Sequence, residues 1–240
     1  MSIFSLGDIV IFNKECLLTY LMKKALITGA SSGLGLEIGK LLHKEEKATI
    51  VNLSRNKSPF ENIAVDLAND KQVLQAIALI KKNHPSFDIL ILNAGIMPVA
   101  PLGDIAFDID HLFHVNITAS IKLVNGLLPL IKKNHCDIVV IGSTSSFKHF
   151  IDHGAYTATK HAVLGFVKVL QTELKQDDVR VIGFHPGGFQ SNLRGPGVIK
   201  EGAMDPKDLA GLLLSLLRLP RNMEVSEIII SRRSKNSTTF

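Results

Sequence analysis

Short apolar runs alternate with longer segments of helical period from Lys23 onward, and this alternation constrains the fold more than any other feature. An apolar run of about four to eight residues between turn signals is typical of a strand that is buried on both faces. Strands that alternate with helices are joined by right-handed crossovers, which place them parallel in one sheet. The sequence therefore predicts an α/β fold, a doubly wound parallel sheet of about seven strands with helices on both faces.

One domain accounts for most of the chain. The chain has 240 residues, of which 46% are hydrophobic, and these suffice for one large core. We expect this domain over residues 22–231, because Met22 opens the first predicted strand, and a basic tail over 232–240. Residues 1–21 fit poorly with the rest of the chain, and charged residues interrupt any apolar run long enough to span a membrane. The hypothesis is that they form a dispensable extension from an upstream start codon.

The positive charge of the chain is spread along it. The net charge is +5 and the pI is about 9.2, but the lysines are scattered, some of them in pairs at the expected ends of elements such as Lys23-Lys24, Lys81-Lys82 and Lys132-Lys133. This pattern favours a solvated surface over a nucleic-acid interface. Cys16 and Cys136 are too few for a disulfide framework, and the histidines lack neighbours at metal-ligand spacing. We expect a cytoplasmic protein with no metal, no membrane partner and no nucleic-acid partner.

A glycine-rich turn, from Thr28 to Gly35, lies between the first predicted strand and the first predicted helix. Glycines let the backbone turn sharply and approach a pyrophosphate, whose charge is stabilised by the amino end of the following helix. A glycine-rich turn alone is a weak signal, but here the strand, the turn and the helix agree. This context predicts a dinucleotide site in a Rossmann-type fold.

Tyr156 and Lys160 stand four residues apart on a predicted helix, so both side chains lie on one face. A cation beside a phenol favours the phenolate and lowers its pKa toward the range of a general acid/base. Ser143 follows a predicted buried strand, and its hydroxyl can hydrogen-bond a carbonyl oxygen while Tyr156 protonates that oxygen. This is the chemistry of carbonyl reduction. A tyrosine and a lysine at this spacing also occur on ordinary amphipathic helices, so the hydride donor must come from the glycine-rich turn.

Taken together, the motifs resemble those of the single-domain, NAD(P)(H)-dependent short-chain dehydrogenase/reductase family, from residue 23 to about residue 231. The glycine-rich turn, the Asn-Ala-Gly motif at Asn93 and the Pro-Gly segment at Pro186 occur in the family's order. The resemblance implies an enzyme that interconverts a carbonyl and an alcohol by hydride transfer from the nicotinamide. Its catalytic residues would be Asn116, which holds a water near the lysine, Ser143, Tyr156, the general acid/base, and Lys160.

The resemblance also implies which residues hold the cofactor. They belong to the glycine-rich turn, the ends of the second, third and fourth strands, the catalytic helix and the Pro-Gly segment. They are Thr28, Gly29, Ser31, Ser32, Gly33, Leu34, Gly35, Ser54, Arg55, Asp66, Leu67, Asn93, Ala94, Gly95, Tyr156, Lys160, Pro186, Gly187, Phe189 and Ser191.

The choice between NADPH and NADH depends on the end of the second strand. An acidic residue there would bind the ribose 2′-hydroxyl of NAD and repel a 2′-phosphate. This chain has Ser54 followed by Arg55, whose guanidinium can pair with a phosphate. Ser32 stands in the glycine-rich turn where some NADP-preferring relatives carry a second basic residue. We expect NADP(H) as the preferred cofactor, with NAD(H) as the second choice.

A small-molecule substrate is implied by regions that line the substrate in this family. In this chain they combine apolar side chains with histidines, which suits a ketone or aldehyde of medium size. Ordinary loop packing is the alternative interpretation of each position. The candidate substrate residues are Met97, Ser145, Phe147, His149 and His153.

Other classes of function are compatible with the fold. A cofactor-sensing or partner-binding protein without turnover would use the same sheet, but such proteins commonly lack the tyrosine or the lysine. An epimerase or dehydratase would need a larger carboxyl-terminal region. By resemblance we expect a homodimer or homotetramer, in which the predicted helix at 108–133 and the Tyr156 helix pack across a two-fold axis. The apolar residues that serve either the core or that interface are Val163, Phe166, Val167 and Leu170.

Overall fold

The computed structural model describes residues 23–191, 193 and 202–233. The predicted extension at 1–21 and the tail from residue 234 lie outside the described residues. Within them, seven parallel strands form one sheet in the order β3-β2-β1-β4-β5-β6-β7, which confirms the predicted doubly wound sheet. The strands are β1 (Lys24–Thr28), β2 (Thr49–Ser54), β3 (Glu61–Ala64), β4 (Ile89–Leu92), β5 (Asp137–Ile141), β6 (Arg180–Pro186) and β7 (Glu227–Ile230).

Six α-helices flank the sheet in the described part of the chain. The predicted helix at 108–133 is interrupted by a π-helical turn, His114–Thr118, and short 3₁₀ turns follow β5 and the fifth helix at Thr144–Ser146 and Lys175–Asp177. The helices are α1 (Gly33–Glu46), α2 (Asp70–Asn83), α3 (Ile109–Phe113), α4 (Ala119–Lys133), α5 (Gly154–Glu173) and α6 (Pro206–Leu217).

Alternate residues of the central strands enter two different cores, because successive side chains of a strand point to opposite faces. In β1, Leu26 packs into the core beneath α2, α4 and α5, whereas Ala25 and Ile27 pack into the core beneath α1 and α6. All three residues are 0% exposed. Burial on both faces explains why the strands read as continuous apolar runs in the sequence.

The inner face of α5 belongs to the first of these cores. Val163, Val167 and Leu170 are 1%, 0% and 4% exposed, and Phe166 packs against the same cluster while partly buried. These apolar residues therefore serve the core. Val169, on another face of α5, is 48% exposed.

A side-chain cap begins helix α6. The Asp205 side chain accepts a hydrogen bond from the Lys207 backbone N–H at 2.8 Å, and Pro206 occupies the first helical position, where its missing N–H costs nothing. The helix then lies across α1 on the far face of the sheet from α5.

Ion pairs hold the amino-terminal edge of the sheet. Arg180 at the start of β6 donates to both carboxylate oxygens of Asp137 at the start of β5, at 3.1 and 2.6 Å. It also donates to the carbonyl oxygens of Leu217, the last residue of α6, and of Leu219 just after it. Arg221 donates to the same Asp137 carboxylate at 2.6 Å. The side chains of Arg180 and Asp137 are only 9% and 14% exposed. This group, named here the Asp137 clasp, ties the chain after α6 to β5 and β6.

Candidate active site

The glycine-rich turn joins β1 to α1 in a conformation that requires glycine. Gly29 and Gly33 have φ angles of +74° and +56°, which residues with a Cβ rarely adopt. Gly35 is needed for space, because a Cβ there would lie 2.5 Å from both the Gly29 carbonyl oxygen and the Asn93 Nδ2 atom. A Cβ at Gly33 would meet no described atom within 4 Å, so that side of the turn is open.

Thr28 and Asn93 lock the turn against the end of β4. The Thr28 hydroxyl donates to the Ile91 carbonyl at 3.4 Å and accepts from the backbone N–H groups of Asn93 and Ala94 at 2.9 and 3.0 Å. The Asn93 side chain donates back to the Thr28 carbonyl at 3.0 Å. These bonds brace the carboxyl ends of β1 and β4, between which the strand order reverses, and a crevice at such a point is the usual ligand site of this fold.

Helix α1 points an uncapped amino terminus at this crevice. The Ser32 side chain makes no capping hydrogen bond among the described residues, and the first turn, which includes Gly33, Leu34 and Gly35, carries no acidic residue. Ser31 is half-buried and Ser32 is exposed beside it. Free N–H groups at a helix start bind phosphate. With glycine favoured at Gly29 and Gly33 by a positive φ and at Gly35 by space, the turn fits the pyrophosphate of a nicotinamide dinucleotide.

The end of β2 presents a cation next to this turn. Ser54 is half-buried, and its hydroxyl donates to the Asn56 carbonyl at 2.8 Å. Arg55 is exposed, and no carboxylate of the described residues forms an ion pair with it. The structure therefore leaves the Arg55 guanidinium available to an anion at the place where the sequence predicted a 2′-phosphate contact.

Asp66 and Leu67 lie in the loop that joins β3 to α2. The Asp66 Oδ1 atom accepts from the Ala68 backbone N–H at 3.0 Å, and the Asp66 N–H donates to the Gln72 side chain at 2.8 Å. Leu67 is 8% exposed. Both residues lie at the carboxyl edge of the sheet beside the end of β2. Their predicted contact with adenine stays a prediction.

Ser143, Tyr156 and Lys160 come together where β5 ends against α5. They are 8%, 6% and 4% exposed. The Lys160 ammonium donates to the Ile141 carbonyl at 3.1 Å and lies 5.8 Å from the centroid of the Tyr156 ring. The Ser143 hydroxyl accepts from the Ser145 backbone N–H at 3.0 Å, which fixes its orientation. Burial lowers the pKa of Lys160 to about 8.

Asn116 reaches the same place from the π-helical turn between α3 and α4. Its side chain accepts from the Ile96 N–H at 2.8 Å and donates to the Ile96 carbonyl and the Thr159 hydroxyl, each at 3.0 Å. A Cβ on Gly95 would lie 3.4 Å from the Asn116 Oδ1 atom and 3.8 Å from the Lys160 Nζ atom. The structure thus brings Gly95, Asn116 and Lys160 together.

The Pro-Gly segment continues from β6 toward this site. Pro186 ends the strand and is buried, and the Gly187 N–H donates to the Ile230 carbonyl at 2.7 Å. Phe189 pairs with Met204 in an isolated bridge. Ser191 is half-buried. These residues border the carboxyl edge of the sheet on the side of β6.

The sequence matches known proteins over most of its length. A family model described as short chain dehydrogenase matches residues 23–200. The chain belongs to the short-chain dehydrogenase family. An uncharacterised oxidoreductase of Staphylococcus aureus (strain MW2) is 31% identical over 225 residues, which cover 87% of this chain and 96% of that relative. Membership of the short-chain dehydrogenase family makes the chain an oxidoreductase that acts between CH–OH and C=O groups with a nicotinamide cofactor.

Solved structures share the fold at lower identity. An alcohol dehydrogenase from the archaeon Thermococcus sibiricus, complexed with 5-hydroxy-NADP, superposes with a TM-score of 0.79 at 22% identity, covering 87% of this chain and 96% of that one. The 4-hydroxyisoleucine dehydrogenase complexed with NADH gives a TM-score of 0.78 at 22% identity, covering 88% and 97%. These likenesses confirm the short-chain dehydrogenase fold.

A cavity of about 520 Å³ opens beside the Asn-Ala-Gly motif. Of the five predicted substrate residues only Met97 lines it, and most of its other lining residues were not singled out from the sequence. Three segments far apart in the sequence form it, at 96–99, at 107–111 and at Leu193, so no local pattern of the short-chain dehydrogenase sequence could have identified them. The lining residues are Ile96, Met97, Pro98, Val99, Phe107, Asp108, His111 and Leu193.

The other four predicted substrate residues lie elsewhere in the loop after β5. Ser145 is 4% exposed, and it contacts Ser143 through its backbone N–H. Phe147 is 36% exposed, and His149 stacks on His161 of α5 with ring centroids 5.7 Å apart. The ring of His153 bonds the Ile151 carbonyl at 2.6 Å. Their contact with a substrate stays a prediction.

His185 is a buried residue of the site that sequence reasoning used only as part of the Pro-Gly segment. It is 0% exposed, and neither ring nitrogen has a hydrogen-bond partner among the described residues. Burial lowers its pKa to about 4. A Cβ on Gly142 would lie 2.2 Å from its ring, and Phe147 meets the ring edge-on at 4.9 Å. The neutral ring therefore supports the chain on either side of Ser143.

None of the described helices is long and apolar enough to cross a membrane. The described residues also hold no cluster of three or more histidine, cysteine, aspartate or glutamate residues that would suit a metal ion. Cys136 is 0% exposed, and burial raises the pKa of its thiol to about 12, so it is an unreactive core residue.

Proposed function

We propose that the chain is an NADP(H)-dependent oxidoreductase that interconverts a small carbonyl compound and its alcohol, with Tyr156 as the general acid/base. The observation that supports this most is the buried Lys160 ammonium, which bonds the Ile141 carbonyl two residues before Ser143 and lies beside the Tyr156 ring. One cation thus lies between the strand end that leads to Ser143 and the ring of Tyr156.

The nicotinamide, when bound, supplies or accepts the hydride. The chain's own residues bind the carbonyl oxygen of the substrate and transfer a proton to or from it. Ser143, oriented by the Ser145 N–H, donates to the carbonyl oxygen and stabilises its developing negative charge. Tyr156 delivers the proton to that oxygen in reduction and removes it in oxidation. Gly29, Gly33 and Gly35 leave room for the pyrophosphate at the start of α1.

Lys160 makes Tyr156 a better proton carrier. A positive charge close to the phenol stabilises negative charge on its oxygen. At a pKa of about 8, Lys160 is mostly charged at neutral pH although it is buried. Asn116 holds the loop at Ile96 and the Thr159 hydroxyl of α5, which keeps Gly95 close to the lysine. A water held near Asn116 would connect this lysine with solvent.

The preference for NADPH rests on Arg55. Its guanidinium is exposed at the end of β2, and Ser54 and Asn56 on either side carry no charge to repel a phosphate. The solved relatives with bound NADP and NADH show that the fold itself accepts either cofactor. The side chain at position 55 therefore decides the preference in this proposal, through a charge-assisted contact with the 2′-phosphate.

A homodimer or homotetramer is part of the same proposal. Val169 on α5 and Ile121 on α4 are 48% and 44% exposed, and apolar side chains on two neighbouring helices suit a subunit interface. Sedimentation velocity at micromolar concentration should give a mass at least twice that of the chain. A monomer throughout would refute this part.

The first test separates turnover from binding. Purified protein is titrated with NADPH and NADH by fluorescence, and then assayed with a panel of ketones and aldehydes. Tyr156→Phe should lower kcat about 100-fold to 10,000-fold and leave the Kd for NADPH within about twofold, because only the proton donor is lost. Arg55→Asp should weaken NADPH binding about tenfold or more and spare NADH.

A matched serine pair controls this test. Ser143→Ala should lower kcat, whereas Ser146→Ala, three residues away and 1% exposed, should not, because no hydrogen bond of the described residues uses the Ser146 hydroxyl. Full activity of Tyr156→Phe would contradict the proposed mechanism. Tight NADPH binding by a wild type without any turnover would favour a cofactor-sensing protein.

A further inference from the structure

Asn52 is a buried amide in the middle of β2. Asn52 is 0% exposed, as are its neighbours Val51 and Leu53. Both neighbours are apolar, as expected for a strand covered on both faces. A polar group in such a place costs stability unless it is hydrogen-bonded. The proposed mechanism does not use this residue, so its bonds need a separate explanation.

The Asn52 carboxamide connects three separate segments. Its Oδ1 atom accepts from the Ala30 backbone N–H of the glycine-rich turn at 2.7 Å. Its Nδ2 atom donates to the Ser54 hydroxyl at 2.9 Å and to the Asn56 carbonyl at 3.3 Å, which lie on the two sides of Arg55. It also donates to the Asn62 side chain of β3, so the two hydrogens of the amide are shared among three acceptors. One side chain thus joins the turn, the Arg55 segment and the neighbouring strand.

The chemistry of these partners explains why the residue is an asparagine. The Ala30 N–H can only donate and the Asn56 carbonyl can only accept, so the oxygen and the nitrogen of the carboxamide have fixed positions. Aspartate offers the acceptor without the donor, and valine or leucine offers neither. A serine hydroxyl is too short to span the same gap.

We propose that Asn52 is a positioning residue that couples the pyrophosphate-binding turn to the ribose-binding end of β2. This inference rests on the proposed cofactor site. Through Ala30 the residue sets the turn that follows Gly29, and through Ser54 and Asn56 it sets the direction of Arg55. It reaches the cofactor only through these segments.

Loss of this coupling should affect affinity and selectivity together. Without the carboxamide, the glycine-rich turn loses the hydrogen bond at the Ala30 N–H, and the segment around Arg55 loses the hydrogen bonds at Ser54 and Asn56. The affinity for NADPH should therefore fall about tenfold or more, as expected for buried donors and acceptors left unpaired. NADH lacks the 2′-phosphate, so its affinity should fall less, and the ratio of the two dissociation constants should move toward one.

The experiment compares Asn52→Val and Asn52→Asp with Val51→Ala. Val51→Ala is the control, because it removes core packing from the adjacent residue of the same strand and keeps all bonds of Asn52. The Kd values for NADPH and NADH are measured by fluorescence well below the melting temperature of each variant. Amide hydrogen exchange at Ala30 is measured on the cofactor-free protein. Asn52→Asp, which is nearly isosteric, serves alone if Asn52→Val does not fold.

The expected result is faster exchange at Ala30 in Asn52→Val, with weaker NADPH binding and reduced selectivity. In Asn52→Asp, NADPH binding and selectivity fall while Ala30 keeps its protection. Val51→Ala should lower the melting temperature without changing the ratio of dissociation constants. Unchanged NADPH affinity and selectivity in both Asn52 variants would overturn the inference and leave the proposed function intact. A wild type that binds neither nucleotide would overturn both.

Discussion

Lys160 carries its charge in a buried place. The side chain is 4% exposed, and its ammonium donates to one neutral carbonyl, that of Ile141. Burial favours the uncharged amine, which explains a pKa of about 8 against the ordinary 10.5. An ammonium held in this way responds strongly to a negative charge nearby, such as a phenolate at Tyr156.

The first prediction concerns pH. Because the pKa of Lys160 is lower in the folded chain than in the unfolded one, the unfolded chain binds more protons between about pH 8 and pH 10.5. The free energy of unfolding should therefore rise with pH in this window, by up to about 3 kcal/mol relative to Lys160→Met. Urea unfolding of both proteins from pH 7 to pH 10.5 measures the difference. A constant difference across this range would contradict the assignment.

The second prediction uses two glycines within helices. Gly35→Ala forces a Cβ against the Gly29 carbonyl and Asn93, so it should weaken NADPH binding about tenfold or more and lower the melting temperature. Gly211→Ala in α6 is the control. A Cβ there meets no described atom within 4 Å, so this change should raise stability by about 0.5–1 kcal/mol. Equal effects of the two substitutions would refute the close approach of turn and strand.

At the scale of elements, the sequence predicted the features that depend on a few adjacent residues. The glycine-rich turn is contained in a few adjacent residues, and it was predicted. The π-helical turn around Asn116 was not, since the residue is held by Ile96 and Thr159 from other elements. The cavity at Met97 and the buried ring of His185 likewise depend on chain segments far apart in the sequence. Such features need tertiary contacts that no periodicity shows.

The third prediction concerns the start of α6. Asp205→Ala removes the acceptor for the Lys207 N–H and should lower the free energy of unfolding by about 1 kcal/mol. Asp205→Asn keeps a side-chain oxygen at this position and should cost much less. Chemical denaturation of the three proteins compares them. A loss of equal size in both variants would show that the charge at this position matters more than the cap.

At the scale of the whole molecule, the residues of the candidate site lie at one edge of the parallel sheet, and ion pairs that stabilise the fold lie at the other edge. The glycine-rich turn, Ser143 and Asn93 follow the carboxyl ends of strands. The Asp137 clasp and Glu46, which pairs with Lys23 and Arg218, lie at the opposite edge. The central strands between them are buried. Changes at the amino edge should thus alter stability and leave cofactor binding unchanged.

The fourth prediction tests this separation. Arg180→Met leaves the Asp137 carboxylate paired with Arg221, which is 41% exposed, and should lower the free energy of unfolding by about 3 kcal/mol. Lys40→Ala breaks an exposed pair with Glu37 and should cost less than about 1 kcal/mol. Denaturation measures both, and the Kd for NADPH should be equal in both folded variants. A changed Kd in Arg180→Met would contradict the separation.

The distance between the two edges also affects how such an enzyme can evolve or be engineered. A five-residue strand spans roughly 16 Å, and substitutions further apart than about 10 Å usually have additive effects on stability. A stabilising change near the Asp137 clasp could therefore compensate for a destabilising change in the loops around Met97 or Phe147. Stabilising substitutions at the amino edge would thus allow destabilising substitutions at the carboxyl edge that change the substrate specificity.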